Sequence, residues 1–258
     1  MTIRPEKTLI YPDLLASRQA GLKKLAVLID PDKVRLGNLD YLIKMAIENR
    51  VNYFFVGGSL IVNNMLDYCL EVIAQACKIP IILFPGNSLQ LSNKADAILF
   101  LSLISGRNPE LLIGNHVIAA PLLKNSRLEI IPTGYMLIDG GIETTVSYIS
   151  NTKPIPSTKT DIAVCTALAG EMLGLKLIYL DAGSGAIHPV TDTMIQQVTA
   201  AVDIPVIVGG GIGTPEQASK SIKAGADLLV IGNALEKDPA ILHEIASAVH
   251  RYSMQQID

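Results

Sequence analysis

Two glycine-rich turns late in this chain of 258 residues could hold a phosphate group. Val206-Ile207-Val208 runs into Gly209-Gly210-Gly211-Ile212, and the apolar run 228–231 ends in Gly232-Asn233. Glycine lets backbone N–H groups approach an anion and adopts positive φ without strain. A helix that starts just after such a turn adds a dipole that favours phosphate. Upstream, Tyr179-Leu180-Asp181-Ala182-Gly183-Ser184-Gly185 sets a phenol and a carboxylate before a third small-residue turn. Near the start, Asp30-Pro31-Asp32 and Gly57-Gly58-Ser59 each follow an apolar run, which gives an oxygen-rich corner of two acids and a hydroxyl. Mg²⁺ favours such a set: one or two carboxylates, completed by water and substrate phosphate oxygens. Asp-Pro-Asp is also a common turn sequence whose acids cap the backbone, and both readings stay open.

Other chemistries are excluded by what surrounds these residues. No Gly-Lys-Ser/Thr follows the glycines, and they lie far from the first strand, so neither a Walker loop nor a dinucleotide fingerprint is present. No cysteine–histidine cluster has zinc spacing, and no Ser/His/Asp order suggests acyl transfer. His116, His243 and His250 read as packing or surface residues. His188, just past Gly183-Ser184-Gly185, could approach a ligand but is read as structural.

A scaffold must bring these residues together, and the apolar runs supply one. Strands are expected at 25–29, 53–56, 80–83, 97–101, 130–138, 177–180, 206–208 and 228–231, each ending in a turn. Helices are expected at 14–21, where one closes the floor, and at 38–49, 61–76, 108–119, 161–173 and 239–252. Strand–loop units in this series predict a single α/β domain over 1–258, a (β/α)8 TIM barrel. Only 88–95 separate the third strand turn from the fourth strand, too few for a crossover helix with its loops. The third outer helix is therefore expected to be reduced or missing, leaving a thin wall that could admit something long and apolar. The segment 151–160, NTKPIPSTKT, is read as a mobile lid. Functional residues in such a barrel stand at the C-terminal strand ends, with phosphate on the loops after strands seven and eight. That rule gathers the glycines and acids at one mouth, together with Phe84-Pro85-Gly86 and Tyr135. Lys33 is the one obvious strand-end lysine and is expected to point along its own loop.

Composition narrows the partners. Hydrophobic residues make up 49% of the chain, yet no run approaches a membrane span. A fully covered parallel sheet is apolar on both faces and accounts for part of this; the surplus predicts a greasy binding surface or a homo-oligomer. A net charge of −3 without a basic block argues against nucleic acid, so a phosphate would rest on backbone amides, helix ends and a metal. The opening stretch 1–15 lacks the apolar core of a signal peptide. Cys69 and Cys77 would lie about 12 Å apart along one helix, too far to bridge, and reduced thiols in a cytoplasmic protein are expected.

With its strand ends collected, the chain resembles the geranylgeranylglyceryl phosphate synthase family, whose relatives include the bacterial heptaprenylglyceryl phosphate synthases. The resemblance runs from Leu25 to the end. It is carried by Leu28-Ile29-Asp30-Pro31-Asp32-Lys33, Val56-Gly57-Gly58-Ser59, Phe84-Pro85-Gly86, Gly134-Tyr135, Tyr179 to Gly185, Val208-Gly209-Gly210-Gly211-Ile212 and Ile231-Gly232-Asn233. Each is unspecific alone; their order on one barrel is not. The resemblance implies transfer of a prenyl group, with geranylgeranyl expected, from its diphosphate to the 3-hydroxyl of sn-glycerol 1-phosphate in ether phospholipid synthesis. It implies that Asp30 and Ser59 serve a Mg²⁺ holding the prenyl diphosphate. Glycerol 1-phosphate would be cradled by Tyr179, Leu180, Asp181, Ala182, Gly183, Ser184, Gly185, Gly210, Gly211, Gly232 and Asn233. Asp181 would accept the hydroxyl's hydrogen bond or proton, with Tyr179 orienting it. A lipid product also implies transient contact with a membrane surface on release.

Two departures stand out. The family usually has glutamate at the place of Asp181, so this carboxylate is one methylene shorter. Many relatives carry a phosphate-contacting lysine two positions before the first aspartate, where this chain has Leu28. Two alternatives remain: another phosphate-binding barrel, such as a sugar-phosphate isomerase or lyase, and a non-catalytic phosphate- or lipid-binding barrel. The first would need a catalytic lysine or carboxylate pair facing the mouth; the second would need no Asp30–Ser59 corner.

Overall fold

Eight short apolar runs become eight parallel strands because each can be covered on both faces. The computed structural model describes residues 9–33, 36–63 and 65–254. The stretch read as lacking a signal peptide lies largely outside them. In chain order the elements begin with α1 (Ile10–Gln19), β1 (Lys24–Ile29), α2 (Leu36–Glu48), β2 (Tyr53–Val56), α3 (Leu66–Ala76) and β3 (Ile81–Leu83). They continue with β4 (Ala97–Leu103), α4 (Asn115–Lys124), β5 (Glu129–Leu137), α5 (Thr145–Ser150), α6 (Thr160–Met172) and β6 (Leu177–Asp181). The last are α7 (Asp192–Ala201), β7 (Val206–Gly209), α8 (Pro215–Lys223), β8 (Leu228–Ile231), α9 (Asn233–Lys237) and α10 (Ile241–Met254). The strands close into a barrel in sequence order, β8 pairing with β1. This is the expected TIM barrel.

Alternation along the strands sorts side chains into two layers. Phe55, Leu99, Tyr179, Ile207 and Val230 fill the barrel interior, while Phe54, Val56, Leu180 and Val208 pack outward beneath the helices. The floor is sealed by α1, whose Ile10 and Leu14 join the interior cluster. Its first N–H groups, which lack helical partners, are taken by the Glu129 carboxylate at 2.5 Å from Ile10 and 2.8 Å from Tyr11.

Among the described residues no helix lies between β3 and β4, as the short spacing required. The connecting loop is fixed instead by side chains. Gln90 is buried; its Oε1 accepts from the Gly58 and Gly86 amides and its Nε2 donates 2.8 Å to the Gly58 carbonyl. Lys94 pairs with Asp67 and Glu71 of α3, both at 2.8 Å.

Several boundaries differ from expectation. The third helix begins at Leu66 rather than at 61, and in the loop before it the Asp32 carboxylate accepts from the Val62 and Asn63 amides. The fourth helix opens as a wide π turn, Glu110–Gly114, and then runs through Pro121 to Lys124. The segment 151–160 is not free to swing as a lid. Ile155 is buried and bridges to the end of β5, with backbone hydrogen bonds of 2.9 Å to Leu137 and Asp139. The short helices α5 and α9 carry too few residues for a periodic pattern to show.

Candidate active site

The strand register sets Tyr135 beside Tyr179 and places Asp181 one inward step further toward the mouth. Tyr135 is paired with Tyr179, and Asp181 with Leu137 and Gly209. Inward-facing Tyr179 and Asp181 line a cavity of about 580 Å³ at the C-terminal strand ends. Its floor is aromatic: the Tyr179 ring stacks on Phe84 at 5.3 Å and meets Tyr135 edge-on at 5.5 Å.

Asp181 is buried and oriented from both sides. Its Oδ2 accepts from the Tyr135 hydroxyl at 2.6 Å and its Oδ1 from the Gly183 amide at 2.7 Å. Burial raises its pKa above the usual carboxylate value, partly offset by those two donors. Burial also pushes both tyrosines well above the usual phenol range, Asp181's charge adding to the effect, so they stay neutral donors. The pairing of Tyr135 with Asp181 was not read from the sequence, although Tyr135 was gathered to the mouth.

The cavity's glycine rim comes from the turns after β6, β7 and β8. Gly183, Ser184, Gly185, Gly210, Gly211, Gly232 and Asn233 all line it. Gly210 has φ +76°, and a Cβ there would stand 2.6 Å from both Asp181 Oδ1 and Gly183 N. Only glycine fits. Among the described residues, neither Gly210 nor Gly211 gives its N–H to another backbone group. Successive amides of this kind form an anion-binding concavity. Ser184 Oγ donates to Asn233 Oδ1 at 3.0 Å, which ties the β6 turn to the β8 turn. Leu180 and Ala182 do not line the cavity. Their side chains face the outer layer, as alternation from Tyr179 and Asp181 demands.

The adjoining arc of the mouth, after β1 and β2, holds Asp30, Gly58 and Ser59. The Asp30 carboxylate lies flat against Gly58, where a Cβ would be 3.3 Å from each of its three carboxyl atoms. Asp32 does not join it: its carboxylate is used by the Val62 and Asn63 amides, so the corner has one acid rather than two. Among the described residues no group of three or more His, Cys, Asp or Glu could hold a metal. One carboxylate beside one hydroxyl suits a hard dication that takes its remaining oxygens from water and ligand phosphates. Lys33 departs from expectation. Besides Asp30 Oδ2 on its own loop, its ammonium reaches Ser184 Oγ at 3.3 Å and Glu236 Oε1 at 3.7 Å.

A second, apolar cavity of about 140 Å³ continues from the first. The two share Gly58, Ser59, Phe84, Tyr135 and Val146. It runs past Ser88 and Leu91 of the helix-less loop, Phe100 and Leu101 of β4, and Ala119 and Leu123 of α4. His116 also borders it, buried against Phe100 with Nε2 3.1 Å from Ser102 Oγ, and is a packing residue as expected. His188 lies outside both cavities, its ring beside Gly141.

Residues 19–249 match the model of the PcrB family. The chain belongs to the PcrB family. It is 55% identical over 241 residues to a geranylgeranylglyceryl phosphate synthase of Chitinophaga pinensis, covering 93% of this chain and 96% of that one. A synthase of the same name from Thermococcus gammatolerans is 42% identical over 216 residues, covering 83% and 85%. Among solved structures, the (S)-3-O-geranylgeranylglyceryl phosphate synthase of Thermoplasma acidophilum, in complex with its substrate sn-glycerol-1-phosphate, superposes with a TM-score of 0.89. It shares 33% identity, covering 95% of this chain and 99% of that one. The fold is a TIM barrel, and among the described residues no helix is long and apolar enough to cross a membrane.

Proposed function

We propose that this PcrB-family chain transfers a geranylgeranyl group from its diphosphate to the 3-hydroxyl of sn-glycerol 1-phosphate. The observation that carries the reading is the continuity of three surfaces: an amide-lined glycine rim, an acid–hydroxyl corner adjoining it, and an apolar channel leaving from between them. The relatives' names and the Thermoplasma acidophilum complex support the same substrates.

On this reading the phosphate of the acceptor rests on the Gly210 and Gly211 amides, the turn 183–185 and Asn233. Its 3-hydroxyl faces Asp181, which Tyr135 and Gly183 hold in place. The allylic C–O bond to diphosphate breaks, the ether C–O bond forms, and the hydroxyl proton passes to Asp181. Mg²⁺ at Asp30 and Ser59 would compensate the charge of the departing diphosphate. The aromatic floor excludes water that would otherwise capture the prenyl group. The prenyl chain lies in the apolar channel and leaves beneath the loop around Ser88 and Leu91, where burial at about 0.8 kcal/mol per methylene supplies much of the donor's affinity. A sugar-phosphate isomerase or lyase has no use for such a channel.

The enzyme works in the cytoplasm, which three free cysteines support, and touches a membrane surface only to release product. It assembles as a homo-oligomer, a reading supported by Val117, Ile118 and Leu122 exposed along α4.

The test is incubation with labelled glycerol 1-phosphate, Mg²⁺ and a ladder of prenyl diphosphates. A solvent-extractable labelled ether is expected, maximal with the C20 donor and lost on chelation. Asp30→Ala should abolish transfer while leaving acceptor binding intact. Full activity in chelator, or in Asp30→Ala, would refute the assignment of that corner.

A further inference from the structure

The Lys33 side chain touches both rims of the site. Its ammonium lies 3.3 Å from Asp30 Oδ2, 3.3 Å from Ser184 Oγ and 3.7 Å from Glu236 Oε1. Elements after β1, β6 and β8 therefore meet at a single amine. The Lys33 side chain is 43% exposed, so its pairing with Asp30 is a weak, solvated one that a stronger cation can displace. Asp30 and Ser59 are also the oxygens offered to a dication. An ammonium on Oδ2 and a dication at the same carboxylate compete for one place. On the other rim, the acceptor phosphate would meet backbone amides in a cavity that Asp30, Asp181, Glu236 and Asp238 also line. Of the two lysines that line it, Lys33 and Lys237, Lys33 is the one bonded to a residue of the phosphate turn.

We infer that Lys33 is a two-position binding residue: it rests on Asp30 when that corner is empty and moves onto the acceptor phosphate beside Ser184 when a divalent cation takes Asp30. This rests on the functional reading above and adds a coupling to it. The ion that serves the donor releases the cation that serves the acceptor, so each ligand tightens the other. Linkage makes the effect reciprocal.

Calorimetric titration of glycerol 1-phosphate, with and without Mg²⁺, tests this on the full chain, beside titration of Mn²⁺ alone followed by its electron spin resonance. In the wild type, acceptor affinity should rise about fivefold or more with Mg²⁺, the lower end of common coupling. Lys33→Met should weaken acceptor binding about tenfold, a loss on the order of one charge-assisted hydrogen bond. It should also erase the Mg²⁺ dependence, yet bind Mn²⁺ alone more tightly because nothing competes for Asp30. Lys33→Arg keeps the charge and should retain most of the coupling. A Lys33→Met protein with wild-type acceptor affinity and Mg²⁺ dependence, or with weakened Mn²⁺ binding, would overturn the inference while wild-type binding stood. A wild type that binds no glycerol 1-phosphate under either condition would remove the functional reading, and the inference with it.

Discussion

Asp181 is pulled in two directions, and the balance sets what it can do. Enclosure raises its pKa, while the Tyr135 hydroxyl and the Gly183 amide stabilise the charged form. Burial wins, so the carboxylate is a stronger proton acceptor than a solvated one. In the proposed role of base it would work only when ionised, so activity should fall as pH drops through its raised pKa. The acid limb should therefore lie above the ~3.9 of a free aspartate. Tyr135→Phe removes one of the donors that favour the charge, and the pKa must rise further. Losing a hydrogen bond to the charged form disfavours that form, so the limb moves upward in pH. A pH–rate profile checks this; a limb that stays in place would show that Tyr135 does not hold the carboxylate. Tyr179 and Asp181 were legible because a strand's period of two puts both on one face. The same period turns the Leu180 and Ala182 side chains outward, so any contact they make with a ligand would come from their backbone. Asp32 and Lys33 could not be placed from sequence, since turn residues have no period to fix their direction.

At the scale of elements, the missing helix shapes the apolar cavity. Fully apolar strands and a short β3–β4 spacing made that gap legible. What holds the gap together was not, because Gln90 sits in an irregular loop where no pattern marks it as buried. The apolar channel depends on a small residue at Ala119, which is buried at its wall on α4. Ala119→Phe adds a ring to this space. It should cut turnover of the C20 donor more than tenfold while a C10 donor is still used and glycerol 1-phosphate binding is unchanged. Equal loss with every donor length would mean that the prenyl chain runs elsewhere. The segment 151–160 had a lid's composition, yet its buried Ile155 fastens it to β5; one apolar residue among prolines and lysines outweighed the rest.

The whole molecule explains why the two rims adjoin at all. Acid corner and glycine rim lie at opposite ends of the chain, and only closure of β8 on β1 brings them to one mouth. That seam is secured at the far end of the barrel, away from the chemistry. Asp227, buried at the start of β8, takes Arg18 of α1 at 2.6 Å and Lys23 at 3.0 Å. Arg18 also donates to the Thr199 and Val202 carbonyls at the C-terminal end of α7. Barrel closure was legible from eight apolar runs in series, whereas this polar floor joins residues some two hundred positions apart and left no local mark. With closure secured there, the mouth is left to ligands. A crystal structure grown with glycerol 1-phosphate, Mg²⁺ and an unreactive prenyl thiodiphosphate tests the arrangement most directly. The acceptor phosphate should lie on the Gly210 and Gly211 amides, the diphosphate on an ion at Asp30 and Ser59, and the acceptor hydroxyl between Asp181 and the first prenyl carbon. Both phosphates on one rim, or glycerol 1-phosphate seated at Asp30 with the glycines bare, would contradict the account.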